Sequence, residues 1–330
     1  PGQWGRLGRL QTLVGLLGPV DKGVHFVREY LQMSDEGLVA LDWAVKPGQP
    51  QRRRRASSNS AVPILLVVPN SFGKKFSSKY NSTSPFSVQM CHLALTHGYQ
   101  AVIFNRRSHN GCPLSTVKLQ QYGDPNDLRE VIRYICHCQP SSRLFAAGEG
   151  TGSGLLLSYL GECGSSSYIA AAGCISPLFR MQDCAEFDEK PLDSLQLLFL
   201  SLHANICFFF LNRYTSALGQ TINTDRLLGS RTLKELEEVL FCQTKALNSL
   251  TWDSYWERND PLRDIDEVAV PVLCICSQDD PIRGRPETTV PFELFETNPH
   301  FFLLLTHHGG HCGFIKDDLS STMWSHSVLI

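Results

Sequence analysis

The sequence of 330 residues predicts an α/β protein with a doubly wound, mainly parallel sheet and an inserted helical cap. Short apolar runs alternate with segments of helical period, which is typical of parallel strands joined by helices. One apolar run, Leu144–Gly154, breaks into closely spaced glycines and then continues as a helix-like run. From Pro177 to about Tyr255 helical patterns replace the alternation, as expected for a cap over the carboxyl ends of strands.

The first half of the chain shows clear local signals. Alternation over Phe26–Lys46 predicts a strand pair, with its turn at Asp35-Glu36-Gly37. The β-branched and leucine-rich run Val62–Val68 predicts a central strand. Proline after Ser84 predicts the start of a helix that Gly98 ends. The next strand is expected directly afterwards, at Tyr99–Asn105.

The second half continues the alternation. Asp124 and Pro125 predict the N-cap and first residue of a helix that runs to Cys138. Further strands are expected at Tyr168–Ser176, Val270–Ser277 and Phe301–Thr306. We therefore predict a lead-in over residues 1–24 and one domain over 25–330, with the cap at about 178–256. The chain starts at Pro1 and stops inside an apparent last helix, which is typical of a fragment.

The strand–turn–helix context of Leu144–Leu160 is that of a nucleophile elbow. In the pattern G-x-S-x-G, Gly148 and Gly152 stand at the outer glycines and Gly150 stands at the serine. Glycine adopts the strained elbow backbone easily but has no atom with which to attack a substrate. A shifted register with Thr151 or Ser153 as nucleophile does not satisfy the pattern, so both are weak substitutes.

Two loops that follow late strands contain an acid and a histidine. Asp279-Asp280-Pro281 follows one strand, and the loop with His311 follows the last. The chain order of elbow, acid and histidine suits a catalytic triad, in which the carboxylate orients the imidazole and the imidazole moves the proton. Taken singly, each residue has a simpler interpretation, Asp280 as an N-cap or turn aspartate and His311 as a loop histidine bonded to backbone, but the elbow context favours the triad positions for both.

Several runs together resemble one family over nearly the whole chain. They are Phe104–Arg107, Cys112–Leu114, Asp127–Arg129, Leu156–Glu162, Asp279–Pro281, Asn298-Pro299, Gly309–His311 and Gly313-Phe314. As a set these runs are similar to the AB hydrolase 4 family. Within that family, the most specific runs are Leu155–Tyr168, Asn259–Asp264 and Val270–Cys276.

The resemblance implies an α/β-hydrolase fold with a helical cap, and relatives that hydrolyse lipid carboxylic esters such as monoacylglycerols, short acyl esters or phospholipids. It assigns Asp280 as the acid and His311 as the base. The nucleophile column falls on Gly150. The histidine-glycine pair of the oxyanion loop falls on Pro69 and Asn70, while Thr151 follows the nucleophile column. Proline has no N–H to donate to an oxyanion.

Two functions follow from these departures. The first is a degenerate serine hydrolase that serves as a regulatory or binding protein of lipid metabolism. For this role the resemblance implies control of lipolysis through a cyclic-nucleotide phosphodiesterase as protein partner. The alternative is an active carboxylic-ester hydrolase or monoacylglycerol lipase that uses the Asp-His pair with an unorthodox nucleophile or an activated water. Either protein would bind a lipid or ester ligand.

Composition excludes some other classes. A net charge of −2 argues against nucleic acid as a partner. We expect no cofactor and no metal, because the glycine run lacks a Walker lysine and the cysteines lack zinc spacing. Reduced thiols are favoured over disulfides for the twelve cysteines. The stretch Trp252–Trp256 suits either core packing or the lining of an acyl pocket.

Two further expectations concern regulation and location. Ser57 follows Arg52–Arg55, which suits a basophilic kinase, although a solvated basic loop has the same pattern. Composition is typical of an intracellular protein. The family resemblance implies a hydrophobic anchor upstream of this segment, which would place the protein at a membrane or in the secretory pathway.

Overall fold

An eight-stranded sheet organises the fold. The computed structural model describes residues 8–17, 23–46, 61–71, 84–180, 182, 214, 216, 218–230, 233–243, 250–316 and 323–330. The strands are β1 His25–Gln32, β2 Leu38–Val45, β3 Ile64–Val68, β4 Gln100–Asn105, β5 Leu144–Glu149, β6 Ile169–Ile175, β7 Val272–Ser277 and β8 Phe301–Thr306. Each lies within or beside a stretch where the sequence predicts a strand.

The sheet has the order β1-β2-β4-β3-β5-β6-β7-β8. Strand β2 is antiparallel to both of its neighbours, and the remaining pairs from β4 to β8 are parallel. Residues Val68 of β3 and Gly148 of β5 are paired, so the carboxyl ends of the two central strands meet at one edge. This arrangement confirms the α/β-hydrolase fold and its mainly parallel sheet.

Helices cover both faces of the sheet. In β3, Leu66 belongs to one hydrophobic cluster and Val67 to another, because successive strand residues point to opposite faces. The four longest described helices are α1 Gly8–Leu17, α2 Pro85–Thr96, α3 Asn126–Cys138 and α4 Thr151–Cys163, of which α1 and α4 contribute to the site. Shorter helices follow at Thr224–Gly229, Leu233–Glu237, Trp252–Asn259, Pro286–Thr289, Phe292–Thr297 and Trp324–Leu329, with a π-helical turn at Glu238–Cys242 and 3-10 turns at Gly164–Ser166 and Ile265–Glu267.

Helix α2 begins where its capping signal predicts, and helix α3 begins one residue later than predicted. The N–H of Ser87 donates to Ser84 Oγ at 3.2 Å, so Ser84 caps α2 as predicted. Helix α3 begins at Asn126, and Pro125 occupies the cap position. Asp124 therefore precedes the cap position, and its Oδ1 accepts the N–H of Asn126, the first helical residue, at 3.0 Å.

Much of the predicted cap lies outside the described residues, so its bounds at about 178–256 stay a prediction. Of the aromatic stretch, Tyr255 and Trp256 are buried in a cluster with Leu178 and Ile282. This cluster packs the start of the cap region against the loop that contains Asp280. The core alternative for these aromatics therefore fits the packing.

The cysteines of the described residues are all free thiols. Cys274 and Cys276 of β7 share one hydrophobic cluster, as alternation predicts. Among the described helices, none combines the length and apolar character that a membrane crossing requires.

Candidate active site

The turn between β5 and α4 keeps the backbone of a nucleophile elbow. Gly150 has φ 51° and ψ −115°, a left-handed conformation that residues with a Cβ rarely adopt. A Cβ on Gly148 would lie 2.7 Å from the Cα of Ser153, and one on Gly152 would lie 2.1 Å from the carbonyl oxygen of Val68. The outer glycines are therefore required by close packing, and the middle glycine relieves the strain of the turn.

Asp280 and His311 meet although they are separated by 31 residues. Asp280 Oδ2 lies 2.9 Å from His311 Nδ1, and both side chains are fully buried. The other carboxylate oxygen accepts the backbone N–H groups of Ile282 at 2.9 Å and Arg283 at 3.0 Å. Both oxygens of the carboxylate thus have fixed partners, so the imidazole has one orientation.

The charge state of Asp280 follows from its neighbours. Burial alone would raise the pKa of this carboxyl, but the charges and hydrogen bonds of His311 and Arg283 outweigh burial and lower the pKa to about 2. Asp280 is therefore ionised at neutral pH. An ionised acid at Nδ1 leaves Nε2 of His311 as the atom that would exchange a proton with a substrate or a nucleophile.

Helix α1 holds the histidine loop from outside the sheet. The backbone N–H of His311 donates to Thr12 Oγ1 at 2.8 Å, and Thr12 Oγ1 donates to the carbonyl of Gly8 at 2.8 Å. Gly310 has φ 57°, and a Cβ there would lie 2.1 Å from the same carbonyl. Nothing in the sequence marks this role of Thr12, because the contact spans 299 residues.

The space in front of His311 is where a serine side chain would project. A Cβ placed on Gly150 would lie 3.3 Å from His311 Nε2. The same Cβ would lie 2.8 Å from Nδ2 and 3.1 Å from Cγ of Asn70. The amide of Asn70 therefore occupies the space that the side chain of a nucleophile would need.

Hydrogen bonds fix this amide in place. Thr151 Oγ1 donates to Asn70 Oδ1 at 2.8 Å and accepts the backbone N–H of Ser71 at 2.7 Å. The hydroxyl of Ser71 also lies 2.6 Å from Thr151 Oγ1. Ser153, the other weak substitute, is buried and donates to the carbonyl of Ile175 at 3.4 Å. The hydroxyl groups of Thr151 and Ser153 thus engage acceptors other than His311.

Glu149 is a buried acid of the elbow that the sequence analysis missed. Burial raises the pKa of this carboxyl to about 8, although a hydrogen bond from the backbone N–H of Asn70 opposes the rise. Asn70 is a predicted oxyanion-loop position. Its N–H therefore donates to the carboxyl of Glu149 rather than to a substrate oxygen. An ionisable residue at the end of an apolar strand was the signal that could have identified it.

The remaining predicted site residues are placed as follows. Pro69 presents its carbonyl oxygen to Arg106 Nη1 at 2.9 Å and has no N–H to donate. Ser57, the predicted phosphorylation site, lies outside the described residues. Within the described part of the chain, no group of three or more His, Cys, Asp or Glu side chains could hold a metal ion. The catalytic and oxyanion roles assigned from the resemblance stay predictions.

The sequence is similar to those of known proteins over the whole chain. Protein ABHD15 of Homo sapiens is 50% identical over 331 residues, which cover 100% of this chain and 67% of that protein. The chain belongs to the AB hydrolase 4 family of α/β hydrolases. ABHD15 is also the member that the most specific runs of the sequence indicate. No protein-family model matches the chain.

More distant members of the AB hydrolase 4 family include proteins named as lipid hydrolases. Phospholipase ABHD3 of Homo sapiens is 28% identical over 317 residues, covering 96% of this chain and 73% of that protein. Monoacylglycerol lipase ABHD2 of Danio rerio is 24% identical over 332 residues, covering 95% of this chain and 71% of that protein. The chain is thus a lipid-related α/β-hydrolase-domain protein by family.

Solved structures agree on the fold. The Pyrococcus furiosus esterase Pf2001 superposes with a TM-score of 0.51 at 12% identity, covering 89% of this chain and 85% of the esterase. At this identity the similarity shows the α/β-hydrolase fold alone, and any activity has to be argued from the site residues.

Proposed function

We propose that this chain is a non-catalytic, lipid-binding member of the AB hydrolase 4 family that acts as a regulatory protein in lipid metabolism. The observation that carries the proposal is the position of the Asn70 amide. It stands beside the backbone of Gly150, in the space where a serine side chain would face His311. A covalent route needs a nucleophile at that point.

The oxyanion side supports the same conclusion. Pro69 has no N–H, and the backbone N–H of Asn70 is bonded to the carboxyl of Glu149. Loss of one oxyanion donor costs an esterase about 3 kcal/mol of transition-state stabilisation. Loss of a triad member costs several further powers of ten in rate. The two losses act on one reaction, so acyl-enzyme chemistry has no route here.

The names of the relatives support a lipid ligand. ABHD3 is named a phospholipase and ABHD2 a monoacylglycerol lipase, and both align with nearly the whole of this chain. A member that keeps the family's fold but lacks the nucleophile would retain a lipid-sized site without turning the lipid over.

Turnover assays test the proposal. The purified chain and its His311→Ala variant are incubated with p-nitrophenyl butyrate and with 1-monooleoylglycerol, and binding of 1-monooleoylglycerol is measured in parallel by calorimetry. We expect binding without turnover in both proteins. Turnover by the parent that disappears in His311→Ala would contradict the proposal.

The second candidate is ester hydrolysis by water that His311 activates directly. The buried pair of Asp280 and His311 favours it, because the geometry for proton transfer is complete. This candidate predicts that the parent hydrolyses 1-monooleoylglycerol and that His311→Ala does not.

A protein partner is the remaining part of the proposal. The family resemblance suggests association with a cyclic-nucleotide phosphodiesterase in the control of lipolysis. Co-purification of the chain with a cyclic-nucleotide phosphodiesterase from a cell extract is the expected result. Failure of the two purified proteins to bind at micromolar concentration would argue against this partner.

A further inference from the structure

Arg106 and Arg107 are adjacent, both buried, and differently partnered. Arg107 Nε and Nη2 bind the two carboxylate oxygens of Asp127 at 2.6 and 2.7 Å, and Nη2 also reaches Asp35 at 2.7 Å. Arg106 is 5% exposed, and its hydrogen bond runs from Nη1 to the carbonyl of Pro69. Among the described residues, no carboxylate lies within ion-pair distance of Arg106.

A buried guanidinium without a counter-charge is costly. Removing a charge from water disfavours the charged form unless a partner replaces the lost hydration. Burial accordingly lowers the pKa of Arg106 to about 10, although Tyr122 opposes the decrease. The side chain remains protonated at neutral pH. Two acidic partners, Asp127 and Asp35, compensate the charge of Arg107, whereas the described residues supply no acidic partner to Arg106.

Arg106 also lies at the candidate site. It follows β4 directly, at the carboxyl edge of the sheet, and its acceptor Pro69 belongs to the predicted oxyanion loop. The carbonyl oxygen of Pro69 lies 2.7 Å from the position of a Cβ on Gly152, in the first turn of α4. The carbonyl group that accepts from Arg106 therefore packs against the positive N-terminal end of a 13-residue helix.

The other neighbour of Arg106 connects it to the cap side. Tyr122 donates its hydroxyl to the carbonyl of Leu178 at 3.0 Å, and its ring packs edge-on against Trp256 at 5.6 Å. Tyr122, which interacts electrostatically with the guanidinium, thus connects Arg106 to the aromatic cluster of Tyr255 and Trp256. A charged head group beside an apolar wall is the arrangement that an amphiphile requires.

We propose that Arg106 binds the anionic head group of the lipid ligand, a carboxylate or a phosphate. This inference rests on the proposed lipid-binding function. A guanidinium matches both groups through paired N–H donors, and such charge-assisted bonds are stronger than neutral ones. A neutral monoacylglycerol would leave the charge of Arg106 without compensation, so we expect the site to bind anionic lipids more tightly than neutral ones.

Binding measurements test this selection. Calorimetry with oleate, 1-oleoyl-lysophosphatidate and neutral 1-monooleoylglycerol is performed on the parent, Arg106→Gln and Arg258→Gln. Arg258 is an exposed arginine in the helix Trp252–Asn259 and serves as the matched control. In Arg106→Gln we expect the affinity for the preferred anionic lipid to fall at least about tenfold. Affinity for the neutral lipid, and all affinities of Arg258→Gln, should be unchanged.

The outcomes separate this inference from the proposed function. Whichever anionic lipid binds more tightly identifies carboxylate or phosphate as the head group. Equal affinity of parent and Arg106→Gln for both anionic lipids would overturn the inference. Binding of the neutral lipid alone would overturn it while leaving the proposed function intact. Binding of none of the three lipids would overturn both, and hydrolysis of 1-monooleoylglycerol would overturn the proposed function alone.

Stability provides a second readout. If Arg106 were structural, its removal would destabilise the fold as removal of Arg107 does. We expect Arg107→Gln to lower the denaturation midpoint clearly and Arg106→Gln to leave it unchanged or raise it, since an uncompensated buried charge is lost. A similar decrease in both variants would contradict a ligand-binding role for Arg106.

Discussion

The candidate site has an acid–histidine half, Asp280 and His311, and a nucleophile half, Gly150 with Asn70 and Thr151. The two halves differ in whether their hydrogen bonds leave a reactive atom accessible. Asp280 holds His311 by Nδ1, which directs the rest of the imidazole toward Gly150. On the other half, Asn70 and Thr151 bind each other, and Asn70 fills the space beside Gly150. One half retains the geometry of proton transfer, and the other is closed by its own side chains.

The difference has a physical cause. Asp280 is a buried charge with bonds to His311 and to backbone N–H groups, so removing it would leave uncompensated polar groups in the core. A serine at Gly150 would instead add strain, because φ there is 51°. An acid–histidine pair can therefore persist for the fold alone, whereas a nucleophile persists only under demand for catalysis.

The largest expected effect comes from reopening the nucleophile half. A Gly150→Ser change alone places its Cβ against Asn70, so we expect little activity. The double variant Asn70→Ala with Gly150→Ser removes that obstruction. We expect fluorophosphonate labelling and p-nitrophenyl butyrate turnover at least about tenfold above either single variant. Adding His311→Ala to the double variant should abolish both labelling and turnover. A double variant with no more labelling or turnover than the single variants would contradict the obstruction by Asn70.

The next effect breaks the acid–histidine half. Asp280→Ala leaves His311 and the buried Arg283 without their acid, which should lower the free energy of unfolding by about 3–5 kcal/mol. Urea denaturation measures it. The control is Asp266→Ala, at an exposed position of the turn Ile265–Glu267. A loss as small as in this control would mean that the pair is not retained for stability.

Glu149 makes the nucleophile half sensitive to pH. Its pKa rises from the ordinary 4.5 to about 8 on folding, so the contribution of Glu149 to the free energy of unfolding falls as pH increases from about 4.5 to 8. Glu149→Gln keeps the acceptor for the Asn70 N–H and removes this dependence. One pKa unit corresponds to about 1.4 kcal/mol. The free energy of unfolding of the variant should therefore exceed that of the parent by a few kcal/mol at pH 9 and match it at about pH 4.5.

Denaturation curves at several pH values measure this difference. The exposed residue Glu287 provides the control variant, Glu287→Gln, whose pH profile should follow the parent. Glu237, whose pKa burial raises to about 7, contributes a smaller slope of the same sign that all variants retain. Parallel profiles of Glu149→Gln and the parent would show that Glu149 is not the source of the slope.

The smallest effect concerns the support of the histidine loop by α1. Thr12→Val leaves the buried N–H of His311 without its acceptor, at a cost of about 1–3 kcal/mol. Thr12→Ser keeps the hydroxyl and should lose less. Faster hydrogen exchange of the His311 amide in Thr12→Val is the specific signature. Unchanged exchange would show that α1 does not hold this loop.

The sequence by itself determined the strands, the elbow and the positions of the acid and the histidine. These depend on local patterns: the run Val62–Val68 becomes β3, and the glycines around Gly150 become the elbow. The chain order then places Asp280 and His311 in the loops that follow the adjacent parallel strands β7 and β8, whose carboxyl ends meet. Ser57 and the bounds of the cap stay predictions from sequence.

Only the tertiary structure decided what surrounds these residues. Asn70 and Thr151 are 81 residues apart, and Thr12 and His311 are 299 apart, so no local pattern predicts either contact. Nor does a sequence show that, among the described residues, Arg107 has acidic partners and Arg106 does not. Periodicity determines which residues face the core, but packing determines which polar groups meet there, and their function depends on that meeting.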